Sequence, residues 1–162
     1  RKTPFHGVLY AGVMITEEGP KLLEFNARFG DPECQTVLPL IESDIVPYLL
    51  ACCKRGGLAS MPPLRIVPLA AVSTVLVSRG YPNESEAGFP IDGVADVPPG
   101  VHITYGCAQY DARGILRTSG GRVMTVTGTG NSFEEARAAS RLMAERIVFE
   151  GKYYRRDIAE ML

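Results

Sequence analysis

The sequence contains no tryptophan, only two histidines and no cysteine pair in C-x-x-C spacing. Its four cysteines are Cys34, Cys52, Cys53 and Cys107. Two adjacent cysteines on one helix cannot chelate a single metal ion tetrahedrally, so a structural zinc site is not predicted. The cysteines are instead interpreted as small, reduced residues of a cytoplasmic protein.

Long apolar runs and a strong net charge are also missing. No apolar run approaches the ~20 residues that cross a bilayer, and no signal peptide is visible, so no membrane association is predicted. The formal net charge is -1 over 162 residues, so no global field attracts nucleic acid or an anionic membrane. Any phosphate binding must therefore depend on a few particular residues.

The chain starts abruptly. Residue 1 is Arg, and an apolar, strand-like run over 8–15 follows almost at once. The backbone groups of such a strand need partners, and little chain precedes it. We therefore expect the sequence to be a fragment of a longer protein.

The first 60 residues predict two strands followed by two short helices. The runs 8–15 and 21–26 predict a hairpin with a loop of about four to five residues. Asp31 as N-cap and Pro32 at the first helical position predict a helix to about residue 38. Ser43 and Asp44 predict the start of a second helix over 45–54, which Gly56-Gly57 would end.

The remainder is predicted to be rich in strands. The proline-rich stretch 58–68 is a connector, and strands are predicted over 70–78, 101–110, 115–118 and 122–128. Ser132 and Glu135 form a capping-box pattern that opens a long helix to about residue 148. Its predicted buried stripe comprises Phe133, Ala136, Ala139, Leu142, Met143 and Ile147. The fold class is therefore predicted to be α+β.

The densest polar cluster in the sequence lies over 23–33. Side chains two apart in a strand share a face, so Glu24 and Asn26 project together while Leu23 and Phe25 point into a core. A carboxylate and an amide oxygen at this spacing suit Mg²⁺, which takes one or two protein oxygens and fills its shell with water and phosphate. The alternative interpretation is a polar strand face with no ligand.

Two further anion-binding groups follow this pair. Arg28 falls on the same face if the strand continues, and its guanidinium suits phosphate or carboxylate oxygens. The helix start after Gly30 adds backbone N–H groups and a partial positive charge. Asp31 and Glu33 can cap that helix themselves, or alternatively hold an amine or a ribose hydroxyl.

The run Arg28-Phe29-Gly30-Asp31-Pro32-Glu33-Cys34-Gln35, preceded by Leu23-Glu24-Phe25-Asn26, resembles the signature of the phosphoribosylamine–glycine ligases. This family, also called glycinamide ribonucleotide synthetases, is a branch of the ATP-grasp ligases. Further stretches similar to it occur in the family's order over 7–12, 80–82, 118–123 and 149–158. The resemblance thus spans almost the whole chain.

The resemblance implies an ATP-dependent ligase of purine biosynthesis. The implied reaction joins glycine to 5-phosphoribosylamine through an acyl phosphate. Glu24 and Asn26 would bind Mg²⁺ or Mn²⁺ at the ATP phosphates, and Arg28 would be the catalytic residue that stabilises phosphoryl or acyl-phosphate oxygens. The acceptor substrate would be bound by Gly30, Asp31, Pro32 and Glu33.

The resemblance also implies a domain plan. Residues 1–60 would be the carboxyl-terminal part of an ATP-grasp domain, 61–69 a linker and 70–162 a small β-rich domain with a long helix. The rest of the ligase chain would be a partner that completes the nucleotide clamp, so the fragment alone is expected to be inactive. Where the family carries a His-x-Gly-Thr run, this sequence has Thr104 and Cys107.

Two other functions remain open at this point. Another ATP-grasp enzyme, such as a biotin-dependent carboxylase, could use a similar E-x-N-x-R strand. A stand-alone, non-catalytic module is the second alternative.

Overall fold

The computed structural model describes residues 5–160 and forms two compact units. Of these residues, the first unit comprises 5–34 and 41–67, and the second comprises 35–40 and 68–160. Helices and antiparallel strands occur without the regular strand–helix alternation of an α/β fold, so the predicted α+β class is confirmed. No helix in the described range is long and apolar enough to cross a bilayer.

The first unit opens with an antiparallel hairpin. Strands β1 (Tyr10–Thr16) and β2 (Gly19–Asn26) pair directly, so only two residues form the turn, and the predicted four- to five-residue loop is wrong. Gly19 has a φ of +102°, a region that favours glycine, and this lets the chain reverse within a short distance. The Thr16 hydroxyl donates to the Gly19 carbonyl at 2.8 Å and fixes the turn.

The prediction that Leu23 and Phe25 point into a core is wrong within the described residues. Their side chains are 63% and 59% exposed, because a two-stranded sheet has no second layer of its own. A β-bulge between Gly12 and Val13 also shifts the pairing register in the middle of the hairpin. Such bulges redirect neighbouring side chains and are frequent beside functional sites.

Two short helices follow the hairpin. Helix α1 (Glu33–Val37) continues as a 3₁₀ turn over Leu38–Leu40, so Asp31 is not the N-cap and Pro32 lies before the first helical residue. Helix α2 (Val46–Cys52) is capped by Ile45 without a side-chain bond. It ends four residues before Gly56, which has a left-handed φ of +71° and opens a 3₁₀ turn over Gly57–Ser60.

The second unit is built on a three-stranded antiparallel sheet. Its strands are β3 (Ala70–Val77), β4 (Val101–Tyr105) and β7 (Arg122–Gly130), with β7 in the centre. The predicted strand over 101–110 is divided, because the chain bends at Gly106 and Cys107. Strand β5 (Ala108–Tyr110) therefore pairs with β6 (Leu116–Thr118) in a separate hairpin.

The core of the second unit lies between this sheet and helix α3 (Phe133–Arg146). Both faces of β7 are buried, as expected for a central strand. The predicted stripe of α3 is confirmed at Ala136, Met143 and Ile147 but wrong at Phe133 and Leu142, which are 46% and 67% exposed. Ser140 and Ala144 take the buried positions instead, because small side chains allow the helix to approach β7 closely.

The N-cap of α3 provides a test of local stability. The Ser132 hydroxyl accepts from the Glu135 N–H at 3.2 Å, while the Glu135 carboxylate accepts from the Asn131 N–H at 2.8 Å. Ser132→Ala should lower the free energy of unfolding by about 1 kcal/mol, since a backbone donor loses its partner. Urea unfolding followed by circular dichroism measures this. The exposed Ser119→Ala is the matched control, and an equal loss in both variants would refute the capping role.

Candidate functional site

Glu24 and Asn26 lie at the carboxyl end of β2, within the first unit. The Asn26 side-chain amide donates to Glu24 Oε1 at 2.9 Å, which confirms that the two side chains project to the same face. Both oxygens can face one cation only if the amide rotates, because its nitrogen now points at the carboxylate. The pair therefore supplies at most three oxygen ligands, two from the Glu24 carboxylate and one from the Asn26 amide.

Strand β1 keeps the space beside this pair open. Gly12 lies opposite Glu24 in the hairpin, and a Cβ at Gly12 would stand 3.2 Å from the Glu24 Cγ atom. An alanine here would require the Glu24 side chain to shift by a few tenths of an ångström, and a larger side chain would require more. Tyr10 lies opposite Asn26 and brings a phenol to the same end of the hairpin.

Tyr10 was not predicted from the sequence as a site residue. Its hydroxyl donates to Glu33 Oε1 at 3.3 Å, which connects the start of β1 to the start of α1. The Glu33 carboxylate is the main cause of a raised pKa of Tyr10, followed by burial, with a smaller contribution from Glu24. The register of the hairpin, rather than any motif, is the signal that places Tyr10 here.

Arg28 lies beyond the end of β2, so the condition that the strand continues to residue 28 is not met. Its guanidinium Nη1 donates to the Phe29 carbonyl at 2.7 Å. The positive charge of Arg28 also acts on Tyr10, where it lowers the pKa and partly opposes the two carboxylates. Arg28 therefore belongs to the same electrostatic group as Glu24 and Glu33.

Gly30 is required by the way Glu33 folds over it. A Cβ at Gly30 would stand 2.5 Å from Glu33 Oε2 and 2.8 Å from the Glu33 Cβ atom. The Gly30 carbonyl accepts from the Cys34 N–H at 3.1 Å, so the backbone of the segment is held as well. Asp31 and Pro32 join through a cis peptide bond directly before α1. Because α1 has five residues, its dipole is weaker than the predicted anion site assumes.

The remaining residues of interest lie at turn, sheet or bend positions within the second unit. Gly120 and Gly121 lie in the turn between β6 and β7, and a Cβ at Gly121 would stand 2.6 Å from the Tyr81 ring. At Gly121 the backbone thus lies close to a side chain of the same unit. Thr104 pairs with Thr125 in the sheet, and Cys107 lies at the bend that follows.

The oxygen atoms of Glu24 and Asn26 limit the kinds of metal ion that this site could bind. No group of three or more His, Cys, Asp or Glu side chains within residues 5–160 is arranged to hold a metal ion. One carboxylate and one amide oxygen cannot form a complete cage, but they fit Mg²⁺, which keeps waters and takes phosphate oxygens as its other ligands. The hard oxygen pair likewise suits Mn²⁺.

The contact between Tyr10 and Glu33 can be tested without any ligand. Glu33→Gln should lower the pKa of Tyr10 toward its ordinary value, since the amide removes the negative charge that opposes phenolate formation. A raised pKa favours the protonated phenol. The Tyr10–Glu33 contact therefore stabilises the fold at pH values below the ordinary tyrosine pKa. This stabilisation is lost as the pH rises through the raised pKa of Tyr10. NMR titration of ¹³C-labelled tyrosine reads this directly. An unchanged Tyr10 pKa in Glu33→Gln, with Glu17→Gln as control, would contradict the contact.

Comparison with known proteins bears on both units. The family model for the C domain of phosphoribosylglycinamide synthetase matches residues 71–161, and the model for its ATP-grasp (A) domain matches 1–34. A phosphoribosylamine–glycine ligase of Caulobacter vibrioides is 46% identical over 156 residues, which cover 96% of this chain and 36% of that protein. The trifunctional purine biosynthetic protein adenosine-3 of Bos taurus is 41% identical over 157 residues, which cover 15% of that protein.

A solved structure shows the same relationship. The crystal structure of phosphoribosylamine–glycine ligase from Thermotoga maritima superposes with a TM-score of 0.76 at 38% identity, covering 93% of this chain and 36% of that one. The chain therefore spans about a third of the length of the single-function relatives that it matches. Since the C-domain model alone covers more than half of the chain, this chain belongs to the phosphoribosylglycinamide synthetase family.

Proposed function

We propose that this chain is part of an ATP-dependent ligase that joins glycine to 5-phosphoribosylamine and gives glycinamide ribonucleotide, ADP and phosphate. The observation that carries the proposal is the Glu24–Asn26 pair at the end of β2, directly followed by Arg28 and the Gly30–Glu33 run. Family membership and the names of the relatives support it. The activity requires parts of a ligase that are not among the 162 residues, since single-function relatives are about three times as long.

The proposed chemistry proceeds in two steps. A carboxylate oxygen of glycine attacks the γ-phosphorus of ATP, the bond to the β-phosphate oxygen breaks, and glycyl phosphate and ADP form. The amine of phosphoribosylamine then attacks the acyl carbon and loses a proton, while the carbon–oxygen bond to phosphate breaks. The first step brings two anions together, so stabilisation of negative charge is the main task of the protein.

Each site residue has a role in this proposal. Glu24 and Asn26 would hold Mg²⁺ or Mn²⁺, which would supply positive charge to offset the negative charge of the phosphoryl group. Arg28 donates to phosphoryl or acyl-phosphate oxygens, for which its guanidinium has further N–H donors beside the one bonded to the Phe29 carbonyl. Gly30, Asp31, Pro32 and Glu33 shape the acceptor side, where Tyr10 holds the Glu33 carboxylate.

The domain plan belongs to the same proposal. Residues 1–60 are assigned to an ATP-grasp domain, 61–69 to a linker and 70–162 to the β-rich carboxyl-terminal domain. Residues that grip the nucleotide are assigned to other parts of the ligase. Glycine, 5-phosphoribosylamine and ATP are the substrates, and the remaining ligase chain is the partner.

The test is to restore the rest of the ligase from a relative, fused in cis or supplied in trans, and to follow ADP release. The proposal expects release that requires both glycine and phosphoribosylamine. ADP release that depends on bicarbonate but not glycine would assign the site to an ATP-grasp carboxylase. A folded assembly that never releases ADP would favour a non-catalytic module.

A further inference from the structure

A second cavity in the first unit has the chemistry of an anion site and shares no lining residue with the site described above. It has a volume of about 270 Å³ and lies between residues 5–7 and the connection that follows α2. Three basic side chains line it, those of His6, Lys54 and Arg55, together with the backbone of Gly56 and Gly57. None of the described residues that line it is acidic.

The two cations at this cavity, Lys54 and Arg55, have no acidic partner among the described residues, unlike several other arginines. Lys54 and Arg55 form no ion pair or side-chain hydrogen bond with a residue in the described range. Elsewhere, Arg65, Arg79 and Arg117 each lie within 3.1 Å of a carboxylate oxygen. Since the 162-residue chain carries a net charge of -1, two unneutralised cations beside a histidine form a local positive field.

The histidine is oriented toward the same space. Nδ1 of His6 lies 3.2 Å from the Cys52 carbonyl, and because a carbonyl can only accept, Nδ1 carries the proton. Nε2 is therefore left on the opposite edge of the ring.

The end of α2 does not account for this arrangement. A helix carboxyl end attracts cations, but the last carbonyls of α2 already have donors: the N–H of Cys53 for Leu50, the N–H of Lys54 for Ala51 and His6 for Cys52. The helix has seven residues, so its remaining dipole is small. The side chains of Lys54 and Arg55 are therefore not needed to satisfy it.

Of the two glycines at the cavity, Gly56 leaves open space beside its backbone, whereas Gly57 packs against α2. No atom lies within 4 Å of the position that a Cβ would take at Gly56. At Gly57 a Cβ would collide with the Ala51 carbonyl, so the turn cannot carry a side chain there without moving. The open side of Gly56, next to Lys54 and Arg55, leaves room for phosphate oxygens.

We propose that this cavity binds the phosphate group of a small phosphate monoester, with Lys54 and Arg55 as donors and His6 as part of its wall. The volume lies at the lower end of ligand pockets, which favours a compact molecule over a nucleotide. The proposal does not depend on the ligase activity, because no residue of the Glu24–Glu33 segment takes part.

The test uses the 162-residue chain and two probes, glycerol 3-phosphate and inorganic phosphate, at constant ionic strength. We expect saturable NMR shifts at the amides of Gly56 and Gly57 and at the His6 ring. The double variant Lys54→Gln/Arg55→Gln should weaken binding about tenfold or more, since each cation supplies a charge-assisted bond. Whichever probe binds more tightly identifies the source of the phosphate group.

The matched control removes two positive charges elsewhere in the first unit. Lys21→Gln/Arg65→Gln breaks surface ion pairs with Glu18 and Glu42 and should leave the phosphate affinity unchanged. Because all four side chains are exposed, both double variants should remain folded. The proposal is overturned by shifts that do not saturate with either probe, or by equal loss of affinity in the two double variants.

Discussion

Replacing Glu24 with glutamine should lower the kcat/KM of the restored ligase by at least about 10³-fold, equivalent to ~4 kcal/mol of transition-state stabilisation. The amide has nearly the same shape as the carboxylate but no charge. The pair at the end of β2 would then offer two neutral oxygens in place of one carboxylate and one amide. Because the proposed role of the Glu24–Asn26 pair is to hold a metal ion that would offset charge on the phosphoryl group, the loss should appear in kcat as well as in KM.

The metal dependence of the rate separates this role from a structural one. In Glu24→Gln, half-maximal activity should require a higher Mg²⁺ concentration than in the unmodified protein, with unchanged thermal stability. Glu18→Gln is the matched control, since Glu18 lies on the same hairpin and is exposed beside Lys21. Full activity with an unchanged Mg²⁺ requirement in Glu24→Gln would show that the polar face of β2 binds no metal.

The parts of the fold that were predictable are those that local sequence determines. The apolar, β-branched run of β3 and the start of α3 at Ser132 depend on period and capping within a few residues. The predicted helix start at Asp31 and Pro32 was wrong, because a capping pattern alone does not fix which residue begins the helix. Local chemistry predicted that a helix exists but not its first residue.

Burial was less predictable than secondary structure, because it depends on what covers a face. Leu23 and Phe25 alternate with Glu24 as core residues would, yet within the described residues the hairpin has no covering layer. Leu142 has helical spacing but is exposed, whereas Ser140 on the neighbouring row is buried against β7. Periodicity identifies a face, and tertiary packing decides which one is covered.

In the candidate site, too, the contact within one strand was predictable and the contact between separate elements was not. The two-residue period of a strand was sufficient to place Glu24 beside Asn26, because both lie on one element. Tyr10 reaches Glu33 only through the bulged pairing of β1 with β2 and the bend that follows Asn26. Such a contact joins residues 23 positions apart and has no sequence period to reveal it.

The contact between β7 and α3 leads to the largest expected loss of stability. A Cβ at Gly128 would stand 2.5 Å from the Ser140 nitrogen and closer still to the Ala136 carbonyl, both of them helix backbone atoms. The helix cannot easily withdraw, because the Ser140 hydroxyl donates to the Val126 carbonyl at 2.9 Å and lies 2.8 Å from the Thr74 hydroxyl. Gly128→Ala should therefore destabilise the second unit by about 3 kcal/mol or more.

Hydrogen exchange of the β7 amides measures this loss in the second unit alone, and far-ultraviolet circular dichroism is the complementary probe, since tryptophan is absent. Gly114→Ala serves as the control, because Gly114 has a φ of +75° but open space around a Cβ. Its cost should be about 1–2 kcal/mol, from backbone conformation only. If Gly128→Ala exchanged no faster than Gly114→Ala, the helix would have room to move, and the close approach of α3 to β7 would not be what holds the second unit together.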